Sequence, residues 1–472
     1  MISKILLLPA ERNSADRVKL SKMVEFFGLE QLDQPPDSSE YAVIISGKNL
    51  DLLSGMRPPR AVLVYDCRED IGTLRTAIAK SNLYRVGSAR VITRQLSGLT
   101  ISGPSCCDGA HVFPGALDSD ILISLGEMPF FIRQARGGCD WFYLGGNGII
   151  DLDYPIENEK FNIDAVFPQL LPFYMFFQYI CQKTSRPVAN LTIDDPALQR
   201  RYGFIDYGEV ANLVRKENFA VTIAFIPWNH KRSNRETVDL FAANSDRLSI
   251  CVHGCDHEDC EFGSAEPGLL DWKCRLAKER MQSHHARFGL PYDNVMVFPQ
   301  GVFSRESMRF LQACGITATV NSHLRAHNCS DDFKIRDLLT PATTRYGLPL
   351  FLRRYPDRIE DFAYDLFFGR PALIVQHNAD FANGWENILS FIRRLNTIEP
   401  DLQWMPLGKV VENHLPPAGS PLQSQFDASG ENGGCGYTMK SYLKTALRRY
   451  ACDVRDNYLC RSGILRNFFY RN

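Results

Sequence analysis

The sequence predicts an α/β protein: an irregular (β/α) barrel, preceded by a smaller α/β domain and followed by a C-terminal helical tail. Three observations carry this expectation. A chain of 472 residues is too long for one ordinary core. Short apolar runs alternate with helix-like spacing through residues 1–160, the rhythm of a parallel α/β sheet. From about residue 186 that rhythm restarts, and about six or more strand–helix repeats follow over 186–415.

In the first domain, "KILLLP", "YAVIISG" and "AVLVYD" are strand-like, while 14–28 and 69–81 have helical spacing. The stretch 120–146 reads as antiparallel strands joined by glycine turns, and "GGNG" at 145–148 as a plain turn. Residues 161–185 form an aromatic-rich helix connecting the domains, buried rather than laid on a membrane. Barrel strands are expected at 189–194, 220–226, 247–253, 295–298, 316–320 and 371–377, with helices at 269–287 and 304–314. The segment 404–415 supplies the last strand and helix. Residues 416–436 are rich in Pro, Gly, Ser and Asn and read as a linker. The tail, 437–472, carries Lys440, Lys444, Arg448, Arg449, Arg455, Arg461, Arg466 and Arg471 against Asp453 and Asp456. It reads as a basic amphipathic helix pair, docked on the body or another subunit, with peripheral contact to a membrane as the other option.

Composition narrows the function classes. Apolar content of 45% and charged content of 23% are those of a globular chain. The net charge of −1 gives no general attraction to nucleic acid or anionic lipid, so partners must come from local sites. The first apolar run is shorter than the roughly 7–15 residues of a signal-peptide core, and no window reaches the roughly 18 of a membrane span. Fourteen cysteines without disulfide-scaffold spacing suggest a reducing, cytoplasmic setting; adjacent Cys106 and Cys107 read as fortuitous.

Three strand ends carry the chemistry. "LTIDDP" sets Asp194 beside Asp195 after a β-branched run, where neighbouring side chains should face opposite ways and like charges repel. "ICVHGCDHEDC" places His253 and His257 four apart at the end of another strand, with Gly254 where the helical H-E-x-x-H motif has its Glu. Two imidazoles and one carboxylate are a common ligand set for Zn²⁺. A third strand, "PALIVQHNADF", ends at His377, a candidate proton donor beside such a group.

These residues resemble the motifs of the polysaccharide deacetylase (NodB homology) family, of the deacetylase and glycoside hydrolase β/α-barrel superfamily, over about 186–415. Thr192-Ile193-Asp194-Asp195-Pro196 is similar to its T-F-D-D-G, and His253-Gly254-Cys255-Asp256-His257 to its H-[S/T]-x-x-H. Val297-Phe298-Pro299-Gln300-Gly301 partly echoes R-P-P-Y-G, and Val375-Gln376-His377 matches the late L-x-H. The resemblance implies a barrel of the NodB type and a metal-dependent hydrolase removing N- or O-acyl groups from a carbohydrate. It implies that Asp195, His253 and His257 hold a divalent cation, Zn²⁺ first among them. Asp194 would be the general base, His377 the acid, and the Gln300–Gly301 turn would hold the oxyanion, through the Gln300 N–H. Val297 departs from the Arg that normally steadies the base, and Arg353 or Arg354 could replace it. Pro196 and Gly254 also depart, and the D-x-x-D-W motif has no counterpart.

Other readings stay open. Cys251, Cys255 and Cys260 surround the histidines and could build a structural Cys/His metal site. An inactive barrel could bind sugar without cleaving it. A glycosidase would need a second carboxylate facing Asp194. Trp228 and Asn229 could stack on and hydrogen-bond a sugar, or be core and turn residues. Glu261 and Asn321 are candidate supporting groups, and His284 and His285 are expected to face solvent.

Overall fold

A computed structural model describes residues 2–9, 14–79, 81–104, 110–116, 120–146, 148–157, 161–182, 186–330, 332–415 and 436–456. The Cys106–Cys107 pair, nearly all of the 416–436 linker and the tail beyond 456 lie outside these residues. The chain forms two compact units, one of residues 1–185 with 334–336 and one of 186–333 with 337–472.

The first unit is built on a nine-stranded mixed sheet. Its strands Lys4–Leu8, Ala42–Ser46 and Ala61–Tyr65 pair in parallel and are buried on both faces, which explains their unbroken apolar sequences. Asp120–Leu125, Met128–Arg136 and Cys139–Leu144 add an antiparallel meander. Helix Ala15–Phe27 starts on Ser14, whose side chain accepts the Arg17 N–H, and ends at Gly28 in the left-handed region.

Two expectations need correction here. The described residues of 69–81 hold no helix: Gly72 turns at φ +59, and the Asp70 carboxylate captures the Thr76 N–H that a helix would use. The aromatic-rich helix Phe167–Cys181 is no connector but part of the first unit's core. Phe177 stacks on Phe27 at 4.9 Å, and Phe176 meets Phe142 edge-on at 5.3 Å.

The second unit holds the barrel. Its sheet runs in the order Leu350–Leu352, Ala318–Asn321, Asp293–Val297, Leu248–His253, Val221–Phe225, Val188–Asp194 and Ala372–His377, every pair parallel. A bridge from Arg354 to Ile374 joins the two ends of this order, so the barrel closes through one residue rather than a full strand pair. Strand Leu350–Leu352 escaped the sequence reading because three residues show no periodicity.

Helix Pro267–Phe288 buries Leu270, Cys274, Ala277, Met281 and His284, a single helical stripe. His284 therefore faces the core, against Phe225 at 5.0 Å, and not solvent. Burial pushes its pKa down to about 4, so it is neutral at pH 7 and its Nε2 pairs with the Ser233 hydroxyl at 2.8 Å. The tail's helix, Met439–Val454, turns Thr445, Arg449 and Asp453 into the barrel unit.

Candidate active site

All three chemistry-bearing strand ends meet at the carboxyl end of the barrel, where parallel strands deliver their last side chains. Strand register does the first part of the work. Asp194 pairs with Ala224 on one side and with His377 on the other, which sets base and acid candidates on adjacent strands. Across the ladder, His377 Nε2 stands 3.8 Å from Asp194 Oδ2.

The backbone does the second part. Asp195 has φ +84, outside the strand region, so the alternation of side chains fails at this residue. Both carboxylates can then face the barrel mouth. Asp195 Oδ1 lies 3.0 Å from His257 Nε2 and 3.5 Å from His253 Nε2. It is nonetheless a buried oxygen without an aligned hydrogen bond among the described residues. Two ligands about 2.1 Å from one ion at a tetrahedral angle are about 3.4 Å apart, so these separations suit a shared cation. His253 donates its Nδ1–H to Val297 O at 2.9 Å, which leaves Nε2 as the lone-pair nitrogen facing Asp195. Burial opposes the charge on Asp195, yet the two imidazoles hold its carboxyl well below the usual range. In return, and against its own burial, His257 is raised by Asp195. These residues fit a divalent cation by donor chemistry, by spacing and by an oxygen with no other partner.

Arg353 fills the gap left by Val297. Its Nη1 and Nη2 meet Asp194 Oδ1 and Oδ2 at 2.7 and 2.6 Å, a bidentate pair with both side chains buried. Burial would raise the Asp194 pKa, but Arg353, with His253 and His377, outweighs it and keeps the carboxyl below its usual range. Arg354, the other candidate, is turned away and pairs with Asp365. Val297 itself is a fully buried core residue.

A second ionic cluster shapes the loop between the histidines. The Glu261 carboxylate accepts the backbone N–H groups of Cys255, Asp256 and His257 at 2.8, 2.8 and 3.2 Å. Lys273 binds Glu261 at 3.1 Å and also holds Asp256, so an ammonium already occupies the Cys255, Asp256 and Glu261 group. Gly254 turns at φ +64, and a Cβ there would stand 2.5 Å from Glu261 Oε2. That explains glycine in place of the hydroxyl residue: Glu261 takes over the loop's amides. The cysteine alternative does not assemble, because the ligand group with both histidines contains Asp195 and no cysteine.

His377 has a partly exposed side chain stacked on Tyr355 at 6.1 Å. That side chain accepts the backbone N–H of Asp380, so the neutral ring carries its proton on the other nitrogen. Gln300 sits at φ +56, ψ 10; its side chain is tied to Asp259 and to the Cys260 N–H, which leaves its backbone as the available part.

Two expected substrate groups need correction. Gly301 spends its N–H on Phe298 O at 3.2 Å, closing the turn, and so is no oxyanion donor. Asn229 is fully buried and offers no surface to a sugar, while Trp228 is half-buried and packs against Arg280 at 5.0 Å and Tyr442 at 5.4 Å. Asn321 holds the same turn through Gly301 O and is structural.

No family model matches the sequence, and no curated protein does. Among solved structures the chain is similar to Agd3, a novel carbohydrate deacetylase, with a TM-score of 0.54 and 10% identity, over 88% of this chain and 87% of that one. It also overlaps a family 4 carbohydrate esterase from Streptomyces lividans, with a TM-score of 0.29, 14% identity, and coverage of 47% and 93%. A CE4 family pseudoenzyme from Bacillus anthracis gives a TM-score of 0.32, 12% identity, and coverage of 49% and 66%. The first of these likenesses shows a shared fold; the other two are too loose to add to it.

Proposed function

We propose that this chain is a metal-dependent deacetylase that hydrolyses an N- or O-acyl group on a carbohydrate or sugar-linked intermediate. The observation that carries the reading is the convergence of Asp195, His253 and His257 beside an Asp194 held by Arg353. The fold shared with Agd3 supports it.

Asp195, His253 and His257 would hold the cation, which when bound supplies Lewis acidity to an acyl oxygen and to water. Asp194, ionised and fixed in orientation by Arg353, takes the proton of the attacking water. As the C–O bond to the carbonyl carbon forms, negative charge builds on the acyl oxygen, and the Gln300 N–H is the donor proposed for it. The bond to the sugar nitrogen or oxygen then breaks, and His377, as the imidazolium, gives that atom its proton and returns to the neutral ring that accepts the Asp380 N–H. The products are a carboxylic acid and a free amine or hydroxyl.

The test is metal analysis of the purified wild type and of His253→Ala, with acetate release measured on acetylated amino sugars and O-acetylated glycans. Wild type should bind close to one divalent cation and release acetate, and His253→Ala should lose both. An undiminished metal content in the variant would sink the site; metal without acetate release from any of these substrates would favour a sugar-binding barrel.

Glu261→Gln should weaken the metal by about 10–100-fold, the usual effect of removing a group that orients ligands. Competition with a chelator reads this directly, and an unchanged affinity would mean that Glu261 only stabilises the loop.

A further inference from the structure

Among the described residues, one face of the tail's helix is uncovered. Met439, Leu443, Leu447 and Tyr450 are 76, 52, 69 and 66% exposed, and their i, i+4, i+8, i+11 spacing makes them one stripe about 17 Å long on the 16-residue helix. Four large apolar side chains aligned and exposed on one helix face are the pattern of an interaction surface.

Charge tells what should cover it. Lys440 and Lys444 are exposed one position beyond Met439 and Leu443 and therefore flank the stripe. The helix's only acid, Asp453, points the other way and is buried on Arg232. Asp456, just past the helix, is buried as well, with Arg455 and the Tyr202 hydroxyl as partners. Arg448 is turned inward to Asp256 O at 2.9 Å. The outward face is thus apolar and cationic with no acid of its own. A second copy pressed on the same face would set lysine against lysine, whereas an anionic bilayer satisfies both features.

We infer that helix Met439–Val454 docks the protein on an anionic membrane surface, with the stripe in the headgroup region and the two lysines on lipid phosphates. The inner side of this helix touches the loop of the His pair, through Thr445 on Glu258 and Arg448 on Asp256. Docking therefore brings the candidate site close to the lipid surface.

Co-sedimentation of the full chain with vesicles tests this. Vesicles of equal parts phosphatidylglycerol and phosphatidylcholine should bind the protein, salt should release it, and phosphatidylcholine alone should bind far less. Leu443→Asp and Leu447→Asp should each weaken binding by at least about tenfold. Lys440→Gln and Lys444→Gln should each cost about fivefold on the anionic vesicles alone. These positions are exposed, so circular dichroism and metal content should stay at wild-type values. Equal binding by wild type and the leucine variants, or no preference for phosphatidylglycerol, would overturn the inference. So would a dimer in sedimentation equilibrium that the same variants dissociate, with no vesicle binding.

Discussion

Asp194→Asn is expected to lower acyl hydrolysis by about 10²–10⁴-fold while the protein keeps its metal. The substitution preserves shape but removes the proton acceptor together with the charge that pairs with Arg353, so some stability should be lost as well. The proposed ligands Asp195, His253 and His257 are untouched, and His253 keeps its orienting bond to Val297 O. Acetate release under single-turnover conditions, paired with metal analysis of the same sample, separates a lost base from a lost cation. Activity within tenfold of wild type would show that Asp194 is not the proton acceptor. An equal fall in metal and activity would make Asp194 part of the ligand set instead.

Arg353→Met should be the most damaging change to stability, at about 3–5 kcal/mol. It strands Asp194 as a buried carboxylate whose two oxygens lose partners at 2.7 and 2.6 Å. Burial then acts unopposed by the guanidinium and raises the Asp194 pKa. Activity should therefore fall with stability, and part of it should return as pH rises and Asp194 ionises. Arg353→Lys keeps the charge but not the two-pronged geometry, and should restore stability only in part. Combining Arg353→Met with Asp194→Leu should recover most of the lost stability and none of the activity, since an apolar pair leaves no buried charge. Urea denaturation of the four proteins measures this cycle. A loss below about 1 kcal/mol in Arg353→Met would mean that Asp194 has another counter-charge.

Much of the site was legible as sequence because a parallel barrel converts chain position into spatial position. Residues that end apolar runs arrive at one face of the sheet, so Asp194, Asp195, His253, His257 and His377 could be singled out without coordinates. The buried stripe of helix Pro267–Phe288 was legible too, since His284 falls at the spacing of Leu270, Cys274, Ala277 and Met281. Reading the helix as merely charged missed it.

Other assignments failed for a different reason. Gly301 and Asn229 have residue types suited to a substrate, but residue type does not show whether an amide is already engaged or buried. Gly301's amide closes its own turn, and Asn229 is fully buried. Glu261 drew notice only for its place after the histidines; its grip on three successive amides depends on a loop conformation that Gly254 permits.

Sequence by itself determined the strand–helix rhythm, the residues at the strand ends and the donor types a divalent cation would accept, because these are local properties of spacing and chemistry. Only the tertiary structure decided which arginine steadies Asp194. Arg353 is 159 residues away, just past a strand too short to show a pattern, and it reaches Asp194 across the closed barrel. Closure brings distant strands together, and no local signal along the chain records which side chain will then face which.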